Sequence, residues 1–257
     1  MDLQIAQQTF IVCGATSGFG NGTAEALLND GAKVIGVARK ADRLEAMSEK
    51  YGDKFSPLQG DVTKAETIDK IAKVAAEYNV SGILVNSSGP PAKSFLETET
   101  EDWDDAYARL LRWKVELTQK VLPHFRKKQY GRLVYIESAS VKQPIENLVL
   151  STSLRLAVVG MVKTVSQEIA DQNINLNIMA PGSHATPAIE RLIIKKSELE
   201  DISYEDAHKA WIDNIPVKKM GNPNKLGALA AWLLSPLSEF VTGQVYAIEG
   251  GNVKSTL

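Results

Sequence analysis

The chain has almost no cysteine, little histidine and no strong excess of either charge. One of its 257 residues is cysteine, Cys13, so no internal disulfide can form. That scarcity fits a reducing compartment. The three histidines, His124, His184 and His208, lack metal-ligand spacing, so no metal centre is expected. Lys plus Arg number 29 against 31 Asp plus Glu, a net charge of −2. No field arises that would hold nucleic acid or an anionic membrane. The apolar runs are short, with residues 227–234 among the longest. A membrane-spanning helix needs roughly 20 apolar residues. Met1-Asp2 opens no basic-then-apolar leader. A soluble, cytoplasmic protein with neither a nucleic-acid nor a membrane partner is expected.

Hydrophobic residues make up 44% of the chain, enough for a large core in one α/β domain spanning 1–257. Short β-rich runs at 9–13, 33–38, 55–58, 82–85, 132–136, 174–179 and 244–248 alternate with amphipathic stretches. Ile68, Ile71, Ala72 and Ala75 mark one helical face. Such alternation predicts a parallel sheet covered on both faces. No linker or repeat divides the chain. The largest interruption, 186–221, is charged, helical in parts and read as a lid.

The strongest local motif comes after the first strand and opens a helix: Gly14-Ala15-Thr16-Ser17-Gly18-Phe19-Gly20. Glycines allow a tight turn and let backbone N–H groups reach a pyrophosphate, which the helix N-terminus also favours. The second strand ends at Val37-Ala38-Arg39-Lys40. A carboxylate there would favour NAD by accepting hydrogen bonds from ribose hydroxyls. Arg39 instead suits the extra 2′-phosphate, so NADP(H) is the expected cofactor.

With these residues the chain resembles the short-chain dehydrogenase/reductase family over nearly its whole length, and within it the 3-oxoacyl-carrier-protein-reductase-like members. Gly14, Gly18 and Gly20 match the cofactor loop, with Thr16, Ser17 and Phe19 between them. Asp61-Val62 looks like the pair that meets adenine, and Asn86-Ser87-Ser88-Gly89 resembles the N-N-A-G segment. Pro181-Gly182 with Thr186 matches the stretch beside the nicotinamide, and Glu249-Gly250-Gly251 is similar to the closing D-G-G. The runs Gly89-Pro90-Pro91 and Lys142-Gln143-Pro144 suggest a divergent subgroup. The resemblance implies a Rossmann-type doubly wound parallel sheet of about seven strands in three α/β/α layers. It also implies a homotetramer or homodimer packed through the helices over 103–128 and 150–170.

The family reaction uses a tyrosine as proton donor, a lysine four residues later, a serine thirteen before the tyrosine, and an asparagine on an earlier helix. Ser138 stands at the serine position. Ser151 stands where tyrosine is expected, Arg155 where lysine is, and Leu110 where asparagine is. An aliphatic hydroxyl is a far weaker acid than a phenol, and a guanidinium keeps its proton. The expectation is an oxidoreductase acting on a small-molecule carbonyl or alcohol with altered proton chemistry. In it Ser138 orients the carbonyl, Ser151 donates a hydrogen bond and Arg155 anchors the ribose. The alternative is a dinucleotide-binding sensor or partner subunit that does not catalyse.

Other residues could supply the missing proton. His184, two residues past Pro181-Gly182, is the main candidate. Tyr204 is another, Glu137 should point away from Ser138 by strand alternation, and Tyr135 reads as core. His124 and the run Arg126-Lys127-Lys128 read as solvated, and Cys13 as a small core residue. The segment 141–150 and the lid would shape the substrate pocket.

Overall fold

A computed structural model describes residues 1–256. The apolar runs form seven parallel strands in the order β3-β2-β1-β4-β5-β6-β7. They are β1 (Thr9–Cys13), β2 (Lys33–Ala38), β3 (Phe55–Gln59), β4 (Gly82–Val85), β5 (Gly131–Ile136), β6 (Ile174–Pro181) and β7 (Val245–Ile248). Each expected run is a strand, and no end is shifted by more than two residues.

Alternation along the strands sorts side chains to two faces. Phe10 and Val12 of β1 join one apolar cluster, while Ile11 and Cys13 join the other. The first cluster is covered by α1 (Gly18–Asn29), α2 (Ala41–Tyr51) and α9 (Pro223–Leu234). The second is covered by α3 (Ala65–Glu77), α5 (Trp113–Lys128) and α6 (Val149–Glu168). The result is the expected three-layer arrangement. Strand order reverses between β1 and β4, leaving a crevice at their carboxyl ends, where ligands bind in open α/β sheets.

The stretch 103–128 is not one regular helix. α4 (Thr100–Tyr107) passes through a π turn at Ala108–Arg112 before α5 begins. Such a turn adds a residue and rotates the helix beyond it. In the interruption at 186–221, Thr186 caps α7 (Pro187–Glu200) and Ser203 caps α8 (Tyr204–Asp213). These two helices pack on each other.

Two surface expectations need correction. His124 is not solvated: its Nε2 lies 2.9 Å from the Val80 carbonyl and its ring packs beside Phe125. Lys128 donates to the carbonyls of Asn79 and Val80 and to the Ser81 hydroxyl, and burial lowers its pKa. Helical periodicity turns both residues back onto the start of β4. α6 is, by length and composition alone, apolar enough to cross a membrane. It instead packs against β6 and the π turn, carrying buried Ser151 and Arg155 into the interior.

Candidate active site

The glycine loop leaves β1 at the crevice. Gly14 N–H donates to the Val37 carbonyl at 2.8 Å, tying the loop to β2. Gly20 must be glycine for steric reasons, since a Cβ there would run into the Gly14 carbonyl. Gly18 has φ +52°, and the Thr186 methyl overhangs it. No side chain caps α1 and no acidic residue sits in its first turn. Its opening N–H groups and its dipole are therefore free to take an anion. Asn86 comes just after β4 and donates from Nδ2 to the Cys13 carbonyl at 3.2 Å, closing the other wall.

Arg39 lies exposed at the end of β2, its carbonyl held by Gln59 Nε2 at 3.2 Å. Partial burial pushes Asp61 up. The Thr63 N–H and hydroxyl, at 3.0 and 2.8 Å, outweigh it with help from Arg39 and Lys64. The net effect holds this carboxylate below its usual range. Val62 is buried in the second cluster. An exposed cation at Arg39 and uncapped N–H groups at the start of α1 are the kinds of donor that a phosphorylated dinucleotide calls for.

At the far wall, Gly182 N–H donates to the Ile248 carbonyl at 2.9 Å, fixing the loop after Pro181. His184 is buried. Its Nδ1 lies 3.1 Å from the Gly182 carbonyl and its ring meets Phe19 edge-on at 5.1 Å. A Cβ at Gly221 would collide with that ring. Burial lowers the His184 pKa, more than the Gly182 carbonyl raises it. His184 thus ties the glycine loop to the start of the interruption, and among the described residues its hydrogen-bond partner is the Gly182 carbonyl. Trp211 of α8 donates to Ser183 Oγ at 2.9 Å, joining the same loop to the outer helices.

The end of β5 and the start of α6 bring Ser138, Ser151 and Arg155 into one region. Ser138 Oγ accepts the Ser140 N–H at 3.1 Å, so its own proton can point elsewhere. Ser151 and Arg155 sit one turn apart on α6, with Arg155 Nε donating to Ser151 Oγ at 3.0 Å. That bond uses a Ser151 lone pair and leaves the hydroxyl proton free to donate. Arg155 Nη1 donates to the Ile136 carbonyl at 3.3 Å and to Glu137 Oε2 at 2.9 Å. Nη2 stands beside Gly89, 3.2 Å from where a Cβ on that glycine would lie. Ser88 and Gly89 continue the loop from Asn86, which places this loop next to the guanidinium. Leu110 is buried in the π turn, an apolar group at the expected asparagine position.

Two further charged residues belong to this centre: Lys114, which the sequence reading leaves out, and Glu137, which it weighs as a proton source. Glu137 does not face solvent. With Leu133 and Tyr135 it lies on the face covered by α5 and α6, where it meets Arg155. Its other oxygen, Oε1, takes Lys114 Nζ at 2.5 Å, and both side chains are essentially inaccessible. Lys114 carries a legible signal: Leu110, Lys114, Leu117, Val121 and Phe125 keep helical spacing, with a cation in an otherwise apolar stripe. Tyr135 is core as expected, its hydroxyl 2.7 Å from Thr118 Oγ1, and burial raises its pKa beyond the normal phenol range. Tyr204 lies on α8, bonded to Glu190 Oε2 at 3.1 Å and stacked on His208. Cys13 is buried, which pushes its thiol up to about 12.

A family model described as enoyl-(acyl carrier protein) reductase matches residues 14–252. The chain belongs to this family, and so to the short-chain dehydrogenases/reductases its motifs resemble. The 3-oxoacyl-(acyl-carrier-protein) reductase FabG of Haemophilus influenzae is 30% identical, covering 94% of this chain and 96% of its own. The L-sorbose reductase of Gluconobacter frateurii, solved with NADPH and L-sorbose, superposes with a TM-score of 0.92 at 23% identity, covering 99% and 100%. An actinorhodin polyketide ketoreductase variant solved with NADPH superposes at 0.90 with 25% identity, covering 96% and 98%.

Proposed function

We propose that the protein is an NADP(H)-dependent oxidoreductase acting on a small-molecule carbonyl or alcohol through an altered catalytic centre. The observation that carries this reading is the set of groups gathered at the carboxyl ends of the strands around the β1/β4 reversal. They are Arg39 at the end of β2, the uncapped start of α1, and the Ser151–Arg155 pair on α6. Relatives named as NADPH-bound reductases support the cofactor. Bound there, NADP(H) would supply hydride chemistry.

The chain's own residues orient and stabilise. The Ser138 and Ser151 hydroxyls would donate to the substrate oxygen, and Arg155 would hold the nicotinamide ribose. Asn86, Ser88 and Gly89 would hold the cofactor along their loop, and Asp61 and Val62 would meet its adenine. Thr186, at the N-cap of α7, lets the helices of 186–221 close over the cleft as a lid. His184 serves as a packing clamp under that lid rather than as a proton donor, since burial disfavours its charged form.

None of Ser138, Ser151 and Arg155 releases a proton easily near neutral pH. General acid–base assistance often contributes about 10²–10⁴-fold in rate. Turnover is therefore slow for a simple ketone. NADPH oxidation against 3-oxoacyl thioesters, ketones, quinones and aldehydes tests the reading. Background rates throughout, with cofactor bound, would favour the second reading, a non-catalytic dinucleotide-binding sensor or partner subunit. Leu110, Ser151 and Arg155, standing together where the family pattern has asparagine, tyrosine and lysine, are the observation that favours it. Ser151→Tyr with Arg155→Lys separates the two: activity appearing only in that variant supports the sensor. A cytoplasmic homotetramer or homodimer is part of the proposal. Leu156, exposed on α6, fits such an interface, and light scattering tests it.

A further inference from the structure

Three formal charges meet in the interior beside the cleft. Lys114 of α5 and Arg155 of α6 each contribute one positive charge and Glu137, just past β5, one negative, so the cluster carries 1 + 1 − 1 = +1. Removing ions from water is costly, and well-packed apolar residues of similar volume commonly replace such clusters without loss of stability. Packing alone therefore does not explain why a lysine occupies the Lys114 position in an apolar stripe.

Three hydrogen bonds link Lys114 to Ser151: Lys114 Nζ donates to Glu137 Oε1, Arg155 Nη1 donates to Glu137 Oε2, and Arg155 Nε donates to Ser151 Oγ. We propose that Lys114, acting through Glu137, is a positioning residue that holds Arg155 and Ser151 in place at the dinucleotide cleft and gives that cleft a buried positive charge. The inference rests on the reading that the cleft binds NADP(H).

Each link restricts the next. Glu137 and the Ile136 carbonyl fix the guanidinium plane, so Nε must face Ser151 and Nη2 must face Gly89. Lys114 occupies the second carboxylate oxygen, so Glu137 cannot draw a second N–H of Arg155 inward in a bidentate pair. It also leaves the cluster with net positive charge, where Glu137 and Arg155 alone would cancel. No proton travels this line, because a guanidinium cannot release one near neutrality. Lys114 therefore acts by charge and geometry.

The groups facing Lys114 set its titration. Glu137 meets it from the end of β5 and Arg155 from α6. The Trp113 ring lies 5.8 Å away on its own helix, and Tyr135 stands on β5 beside Glu137. Burial, helped by the Arg155 charge, lowers Lys114 to about 8 against the pull of Glu137. The cluster should thus pass from +1 to neutral as pH rises through that value.

The test measures NADPH affinity of the full chain by fluorescence titration from pH 7 to pH 9.5, in the native protein, Lys114→Met and Lys114→Arg. A buried charge near an anionic ligand sets the scale of about fivefold. The native protein should lose about fivefold in affinity across the range. Lys114→Arg, permanently charged, should hold its neutral-pH affinity at pH 9.5. Lys114→Met should bind about fivefold more weakly at pH 7 and show a flat profile. A merely structural lysine would lower thermal stability without flattening the profile, and that result would overturn the inference. If Lys114→Met does not fold, the comparison of native with Lys114→Arg decides alone. A flat native profile overturns this inference only, whereas no NADPH binding at any pH overturns the cofactor reading and this inference together.

Discussion

Around the glycine loop, side chains do little and the backbone does most. Gly14 bonds to β2 through its N–H, Gly20 is small because the Gly14 carbonyl is close, and α1 presents uncapped N–H groups. Around Ser151 the balance is reversed. There the geometry hangs on side chains, with Glu137 buried between two cations and Arg155 reaching Ser151. Backbone geometry of the first kind keeps its function across many sequences, because few residue types allow it. A side-chain centre can be exchanged whole when compensating charges change with it. That contrast explains how a recognisable cofactor loop coexists with Leu110, Ser151 and Arg155.

The sharpest way to break the comparison is at the loop itself. Gly20→Val sets branched carbons against the Gly14 backbone, which has no room to give. NADPH affinity should fall by more than about a hundredfold, on the scale of a strained, misplaced phosphate loop. Calorimetry reads the loss, and retained affinity would mean the loop is not the phosphate cradle.

At the centre, Glu137→Gln should cost about 3–5 kcal/mol, because it leaves two buried cations without their anion. Urea unfolding measures this. A cost near zero would show the cluster to be wetter than its burial implies.

Arg39→Ser probes the cofactor preference. Loss of one charge-assisted contact should weaken NADPH binding about tenfold and leave NADH almost unchanged. Equal effects on both dinucleotides would remove Arg39 from the 2′-phosphate.

A last comparison uses the pH dependence of stability. Burial lowers Lys114 in the folded state to about 8, while the unfolded chain keeps a value near 10.5. Between these values the unfolded state binds more protons, so this group's cost to stability fades as pH rises. The cost is full below about pH 8 and gone above the unfolded value. Compared with Lys114→Met, the native protein should gain relative stability from pH 8 to pH 10. Unfolding curves of the pair at both pH values check the sign.

Much of the fold is legible because strands obey a local rule. Ile11 and Cys13 on one face, with Phe10 and Val12 on the other, come from alternation alone. Gly14 to Gly20 is legible because its spacing, strand and helix all lie within a few residues. Ser151 and Arg155 are found through family register, since they share one helix. The hidden features depend on contacts between distant segments. Lys114 and Glu137 are 23 residues apart. Alternation correctly sends Glu137 away from the Ser138 side, yet nothing local shows that α5 and α6 wait there with two cations. The π turn is equally hidden, because Ala108 to Arg112 reads as ordinary helix. His124 and Lys128 look solvated until β4 is brought beneath them.

Calorimetric titration of the native chain with NADPH and with NADH at neutral pH and fixed ionic strength tests the central claim most directly. The account predicts one site per chain and distinctly tighter binding of NADPH. Equal or tighter binding of NADH, or no binding of either dinucleotide, would contradict it.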